Sequence, residues 1–477
     1  MTAVGKSVLR VPDDTLAHRL AMSASTVDGG CNTMAEIRSW LADRAEKQLH
    51  QVARIPFAEL RSWRFDEDSG DLRHDSGKFF RIQGLRVQSD FGPVPSWTQP
   101  IINQPEIGIL GIVVKEIGGV LHCLMQAKSE PGNVDGVQVS PTVQATRSNY
   151  LRVHEGGAVP YLDCFRDLGR HRVLADVLQS EQGAWFYHKR NRNMIVEVDE
   201  PVEAHEDFCW MTLGQLHLLL REENVVNMDA RTVLSCMPAG FEAAAGGLTD
   251  EMVTAIALSC DPAFGGLHTP QETMSWLTSR ESEQVVVTEL TGLSDVPRWR
   301  RTDVDIHHDE HRFFRVVAVS VLANSREVGD WTQPLLEPCG TGLIVLLVKR
   351  VDGVLHALVN ARAEPGYRGT VELAPTVQCT PANYGGITSE QWPPFLDLVL
   401  DGDPGRILFD TELSEEGGRF HNARNRYRII EVAEDFPDGG RPEFRWLTLH
   451  QLTSFLGHSN YVNVQARTLI ACLRGLR

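Results

Sequence analysis

Apolar residues run almost unbroken from Ile107 to Val114 and again from Val120 to Met125, with Gly118-Gly119 between the two runs. This predicts two strands joined by a tight hairpin turn, because both central residues of such a turn need positive φ. The near-continuous first run predicts a strand covered on both faces. The pattern returns later in the chain, where Asp352-Gly353 makes the break. Helical signals stand on either side. Thr33-Met34-Ala35-Glu36 and Thr269-Pro270-Gln271-Glu272 are capping-box strings that open segments carrying Trp40-Leu41 and Trp276-Leu277. Thr212-Leu213-Gly214-Gln215 and Thr448-Leu449-His450-Gln451 repeat the device before leucines at helical spacing. The expected class is α+β, a mixed sheet flanked by helices.

Each of these signals occurs twice because residues 31–237 are written again as residues 269–477. Phe79-Phe80-Arg81 returns as Phe313-Phe314-Arg315, Trp97-Thr98-Gln99-Pro100 as Trp331-Thr332-Gln333-Pro334, and Arg190-Asn191-Arg192 as Arg424-Asn425-Arg426, all at an offset of 234. Toward the end the offset becomes 236, where Ala230-Arg231-Thr232 matches Ala466-Arg467-Thr468. A unit of roughly 200 residues far exceeds solenoid periods, so each copy can bury its own core. Residues 1–30 read as a tail or an arm over the partner domain, and 238–268 as a linker with one helical turn or more over the apolar run Met252 to Leu258, around two tandem homologous domains produced by duplication.

The 477 residues, 42% apolar and 23% charged, fit an ordinary globular protein of two or three domains, and the repeat selects two. A net charge of −17 opposes a nucleic-acid surface, so any phosphate site must be a local pocket. Nine cysteines, an odd number with no C-x-x-C spacing, point to reduced thiols in a cytoplasmic protein. No apolar run approaches transmembrane length, and no signal-peptide pattern opens the chain.

Three strings could carry chemistry. In Gln126-Ala127-Lys128-Ser129-Glu130-Pro131-Gly132 the Pro-Gly pair predicts a type II turn that puts Lys128 and Glu130 on one face at a strand end; Arg362 and Glu364 repeat the pair. An exposed ion pair is the plainer explanation. The second string runs from Pro141 to Tyr150. Gln144, Thr146, Asn149 and Tyr150 recur as Gln378, Thr380, Asn383 and Tyr384, while Arg147 becomes Pro381. Kept polar identities suit a hydrogen-bonding surface for a base or sugar; a helix cap with a buried tyrosine would look similar. The third string holds His188, Lys189, Arg190 and Arg192, against Arg424 and Arg426. Two guanidinium forks at i and i+2 suit a diphosphate, although alternating arginines also occur on exposed strands. Trp97, in the repeated Trp-Thr-Gln-Pro string, joins the binding candidates. His74 and His308 match and read as structural hydrogen-bonders. Dinucleotide, Walker, H-E-x-x-H and G-x-S-x-G motifs are absent from the sequence.

The strings QAKSEPGN, SPTVQATRSNY and FYHKRNRN, with ARAEPG and APTVQCTPANY in the second copy, resemble the NDP-hexose 2,3-dehydratases of deoxysugar biosynthesis. The resemblance runs from about residue 36 to the C-terminus and implies a doubled Nudix-like fold. Neither copy carries the Nudix glutamate box, so metal-dependent phosphohydrolysis is not implied. The implied substrate is a dTDP-4-keto-6-deoxy-hexose, which loses the carbon 2 hydroxyl as water without metal or nicotinamide. A ketoreductase would consume the product, and a homodimer fits the fold. Moving from the first copy to the second, Lys128 becomes Arg362, His188 becomes Asn422 and Lys189 becomes Ala423. Arginine does not readily give up a proton, so the first copy is the expected site of chemistry. There Glu130 is the candidate base or orienting group, Lys128 or Tyr150 the acid and enolate stabiliser, His188 a further proton carrier, and Arg190 with Arg192 the diphosphate ligands. The competing readings are a sugar-nucleotide hydrolase, separable by magnesium dependence, and a non-catalytic sugar-nucleotide binder.

Overall fold

The computed structural model describes residues 15–92, 94–146, 159–238, 251–324, 328–386, 388–402, 405–437 and 440–476. The expected hairpins form. Gly118 and Gly119 have φ of 60° and 83°, Asp352 and Gly353 of 50° and 81°, as a primed turn demands. The strand Gly108–Ile117 is buried over its first seven residues, which accounts for its unbroken apolar run. It pairs antiparallel with Val120–Ser129 and parallel with Arg190–Glu197. These form the centre of a seven-stranded mixed sheet that Arg172–Ser180 and Phe208–Met211 extend at its two ends. The second copy builds the same sheet around Gly342–Val351 and Val354–Ala363. All four expected capping boxes are present, at Thr33, Thr212, Thr269 and Thr448.

The residues expected as tail and linker each contain a helix, Leu16–Ser25 and Glu251–Cys260. Ser23 Oγ donates to the Leu121 carbonyl and Ser259 Oγ to the Leu355 carbonyl, so the two helices occupy equivalent places on the two large sheets. Leu20, Ala24, Met252, Ala255 and Ile256 are buried there, which makes these helices part of the cores.

The copies are also interlocked. Each has a second, smaller sheet, and each lends its first strand to the other copy. His50–Ile55 pairs antiparallel with Phe314–Ala323, from His50↔Ala323 to Ile55↔Ala318. Val286–Thr291 pairs with Arg81–Ser89, from Val286↔Ser89 to Thr291↔Gly84. The two small sheets share one apolar core, in which Trp63, Leu72, Phe80, Ile82 and Phe186 pack with Ile306, Phe314, Val316, Leu336 and Phe420. Nearby, the helices Met228–Ser235 and Val464–Arg474 pack together and bury an arginine each. Arg231 Nη2 donates to the Ser414 carbonyl at 2.5 Å, and Arg467 Nη2 to the Ser180 carbonyl at 2.6 Å. Each guanidinium thus satisfies backbone of the opposite copy, which a buried charge requires.

Candidate active site

The strand Val120–Ser129 runs toward the first Glu-Pro-Gly turn, and its alternation sends Gln126, Lys128 and Glu130 into one cleft of about 1270 Å³. Lys128 Nζ lies 3.0 Å from Glu130 Oε1 and 3.4 Å from the Gln144 carbonyl. The turn is not the expected type II. Gly132 and Gly366 are not among the glycines with positive φ, and Asn133 N–H donates to the Glu130 carbonyl at 3.1 Å. Glycine is needed for a different reason. A Cβ on Gly132 would lie 1.6 Å from the carbonyl oxygen of Phe420, and one on Gly366 1.8 Å from that of Phe186. Each turn is therefore pressed against a loop of the other copy.

That contact decides what lines the cleft. From the first copy come Lys128, Glu130, Gln144, Thr146, Glu181, Lys189, Asn191 and Asp229; from the second come Trp331, Gln333, Glu416 and Arg419. Lys189 Nζ donates to the Glu106 carbonyl, and burial pulls its pKa down to about 8 despite the nearby Glu181. Asn191 bridges the sheet to the site: its Oδ1 accepts from Gly108 N–H and its Nδ2 donates to Glu181 Oε1 at 2.7 Å. Arg419 lies over the Phe80 ring at 4.4 Å and donates to Gln104 Oε1 at 3.2 Å. Among the described residues, one oxygen each of Gln144, Glu181, Asp229 and Glu416 is buried with no hydrogen-bond partner. Burial raises the pKa values of Glu181, Asp229 and Glu416. Unspent acceptors facing a cleft are where a polar ligand would bind.

Several expected site residues lie elsewhere. Arg190 and Arg192 do share a face, but strand alternation turns it away from the cleft and gives the inward positions to Lys189 and Asn191. Arg192 forks onto Asp176 at 2.7 and 2.5 Å, and Arg426 onto Asp410 at 2.6 and 2.7 Å. Arg424 lies 3.5 Å from Glu412. His188 is stacked on Tyr187, and its backbone N–H donates to the Gly366 carbonyl at 2.8 Å, so it belongs to the second copy's turn. Burial, Arg368 and Arg190 lower its pKa. Trp97 packs over Leu85, Val87 and Ile101 and donates to Gln99, while its counterpart Trp331 lines the cleft. His74 lines it too, and its Nδ1 is 2.8 Å from Ser76 Oγ. Arg147, Asn149 and Tyr150 lie outside the described residues.

Around the second turn Glu364 is held by its neighbours, while one oxygen each of Gln182, Glu372 and Gln465 is buried with no hydrogen-bond partner among the described residues. Arg362 holds Glu364 at 3.0 Å, Gln378 donates to Glu364 at 2.9 Å, Asn463 donates to Gln378 at 2.8 Å, and Ala184 N–H donates to Glu364 at 3.1 Å. Tyr384 packs against the apolar cluster around Leu343 and Val377. Glu181, Asp229, Glu416, Arg419 and Trp331 are among the cleft residues that the sequence reading did not single out. For Asp229 and Glu416 a signal existed, because the copies differ there, with Gln465 and Gln182 at the matching positions.

An intramolecular pseudo-dimer in which one of two related sites opens into a cleft lined by Lys128, Lys189, Glu130, Glu181, Asp229 and Glu416 defines a class, a duplicated α+β protein with groups placed for proton transfer on a polar small molecule. The family model for NDP-hexose 2,3-dehydratase matches residues 34–237 and again 270–473, and the chain belongs to that family. Three similar proteins are each named dTDP-4-dehydro-6-deoxy-alpha-D-glucopyranose 2,3-dehydratase. The one from Saccharopolyspora spinosa is 51% identical over 96% of this chain and 95% of its own length. That from Amycolatopsis orientalis is 46% identical over 96% and 93%, and that from Streptomyces violaceoruber 44% over 93% and 97%. Among the described residues no helix is long and apolar enough to cross a membrane.

Proposed function

We propose that this chain removes water across carbons 2 and 3 of dTDP-4-keto-6-deoxyglucose, and that the first-copy cleft is where it does so. The observation that carries the reading is the Lys128–Glu130 pair, held 3.0 Å apart at the floor of a cleft large enough for a sugar nucleotide, in a chain of this family. The ketone at carbon 4 acidifies the hydrogen on carbon 3. Glu130 takes that hydrogen as a proton, and the ammonium of Lys128 stabilises the enolate oxygen. The enolate then expels the carbon 2 hydroxyl as water. The resulting enol tautomerises to the 3,4-diketo-2,6-dideoxy sugar, so carbon 3 is oxidised and carbon 2 reduced with no external electron acceptor. Trp331 offers a face for a base or sugar, and Arg419 replaces Arg190 and Arg192 as the diphosphate candidate.

The reading extends to a Nudix-like architecture in each copy, a homodimer of the whole chain, a cytoplasmic site of action and a ketoreductase that consumes the reactive diketone. The test is incubation with dTDP-4-keto-6-deoxyglucose followed by mass analysis. Loss of one water with dTDP still attached supports the reading; release of a nucleotide phosphate would instead favour a hydrolase.

A further inference from the structure

Four carboxyl groups, Glu130, Glu181, Asp229 and Glu416, converge on the first-copy cleft and face three cations, Lys128, Lys189 and Arg419. Buried carboxylates this close cannot all stay ionised, because each charge raises the cost of the next. Glu416 reaches the cleft from the other copy. Its Oε1 accepts from the Gly418 N–H at 3.0 Å, while its Oε2 is buried with no partner among the described residues. The loop that carries it is packed onto the first Glu-Pro-Gly turn: Gly132 N–H donates to the Gly417 carbonyl at 2.7 Å, and a Cβ on Gly417 would lie 2.8 Å from Cβ of Glu130. Glu416 is therefore fixed beside the candidate base.

The duplication supplies an internal control. At the second turn, Gln182 stands where Glu416 would, Gln465 where Asp229 would, and Ala423 where Lys189 would. Gln182 is buried and donates to Glu415 Oε2 at 2.9 Å. An amide fits the equivalent space, but it cannot deliver a proton.

We propose that Glu416 is the acid that protonates the hydroxyl leaving carbon 2 in the first-copy cleft, so that the second copy supplies part of the working site. This rests on the dehydratase reading. Glu130 removes the carbon 3 hydrogen as a proton, and the C–H electron pair becomes the enolate. As the carbon 2 to carbon 3 double bond forms, the C–O bond breaks and its electron pair leaves on oxygen, which takes the proton of Glu416 to depart as water. Tautomerisation of the enol releases one proton from the carbon 3 oxygen and adds one at carbon 2. The cycle closes when Glu130 loses its proton and Glu416 regains one through solvent. Burial lifts Glu416 to about 7, with Arg419 drawing it down and Glu130 and Glu181 pushing it up, so the acid form is available near neutrality.

The test is Glu416→Gln, which installs the side chain the fold already accepts at position 182, with the reaction run in D₂O. Proton abstraction at carbon 3 should survive, so recovered substrate gains deuterium there. Water loss should fall about 10²–10⁴-fold with KM changed only a few-fold. Glu416→Asp keeps a carboxyl and should restore part of the rate, which a merely structural role would not. Wild-type turnover in Glu416→Gln would overturn the proposal, as would joint loss of exchange and elimination in a protein whose circular dichroism and melting are unchanged. A wild-type chain that neither exchanges nor eliminates would instead refute the dehydratase reading.

Discussion

Gly132→Ala tests whether the turn and the loop of the opposite copy hold each other in place. The added Cβ would lie 1.6 Å from Phe420 O, 2.6 Å from Phe420 C and 2.9 Å from Gly417 O. All three are backbone atoms, so no side-chain rotation relieves the clash. Opening the closest contact to the 3.0 Å that Cβ atoms tolerate requires a shift of about 1.4 Å. Two cross-copy hydrogen bonds lie on that path, Gly132 N–H to Gly417 O at 2.7 Å and Asn422 N–H to Gly132 O at 2.9 Å. Overpacking costs about 1–3 kcal/mol and each lost hydrogen bond about 0.5–1.5 kcal/mol, so the destabilisation should be about 2–6 kcal/mol. The same shift carries Glu416 and Arg419 away from Glu130, and a displacement of about 1 Å costs roughly 10²-fold in rate. Urea unfolding and kcat at saturating substrate measure the two effects. Gly366→Ala, clashing with Phe186 O at 1.8 Å, should match it in stability but lose less turnover. A Gly132→Ala protein with wild-type stability and turnover would show that the contact does not hold the cleft together.

Arg192→Ala should leave KM within a few-fold of wild type, because its fork is engaged by Asp176 outside the cleft; a large rise in KM would return the diphosphate to that strand. Lys189 binds fewer protons folded than unfolded between about 8 and 10.5, so its contribution to stability should rise with pH across that window. Lys189→Met should flatten this rise, read as unfolding free energy against pH; an unchanged slope would mean that the ammonium is not desolvated. Activity should survive exhaustive chelation and dialysis, since the elimination needs no external electron acceptor. Recovery of a lost rate on adding magnesium or nicotinamide would contradict that.

The elements were legible where local chemistry decides them. Glycines at 118 and 119, the Thr-x-x-Glu caps and the unbroken run from Ile107 each have a cause within a few residues, and each forms as expected. The exchange of first strands was not legible. His50–Ile55 has no fully buried position and exposes Gln51, Ala53 and Arg54, which would fit the edge of either small sheet, and only tertiary packing selects Phe314–Ala323. The same crossing explains the misplaced site residues. Lys128, Glu130, Gln144, Thr146 and Lys189 line the cleft, and all belong to the first copy. Trp97 and His188 were assigned to their own copy, although the interlock gives the cleft Trp331 and sends His188 to Gly366. Arg190 and Arg192 lie outside the cleft for a simpler reason: alternation fixes that two residues share a face, but not which face is inside.

The most direct measurement compares kcat for Glu130→Gln and Glu364→Gln with dTDP-4-keto-6-deoxyglucose, each protein first shown to be folded. Glu130 reaches the cleft beside Lys128 and Glu416, whereas Glu364 is tied up by Arg362, Gln378 and Ala184 N–H. We predict that Glu130→Gln loses about 10²–10⁴-fold in turnover and that Glu364→Gln stays within about tenfold of wild type. The reverse order would place the chemistry at the second turn and contradict the assignment of the cleft.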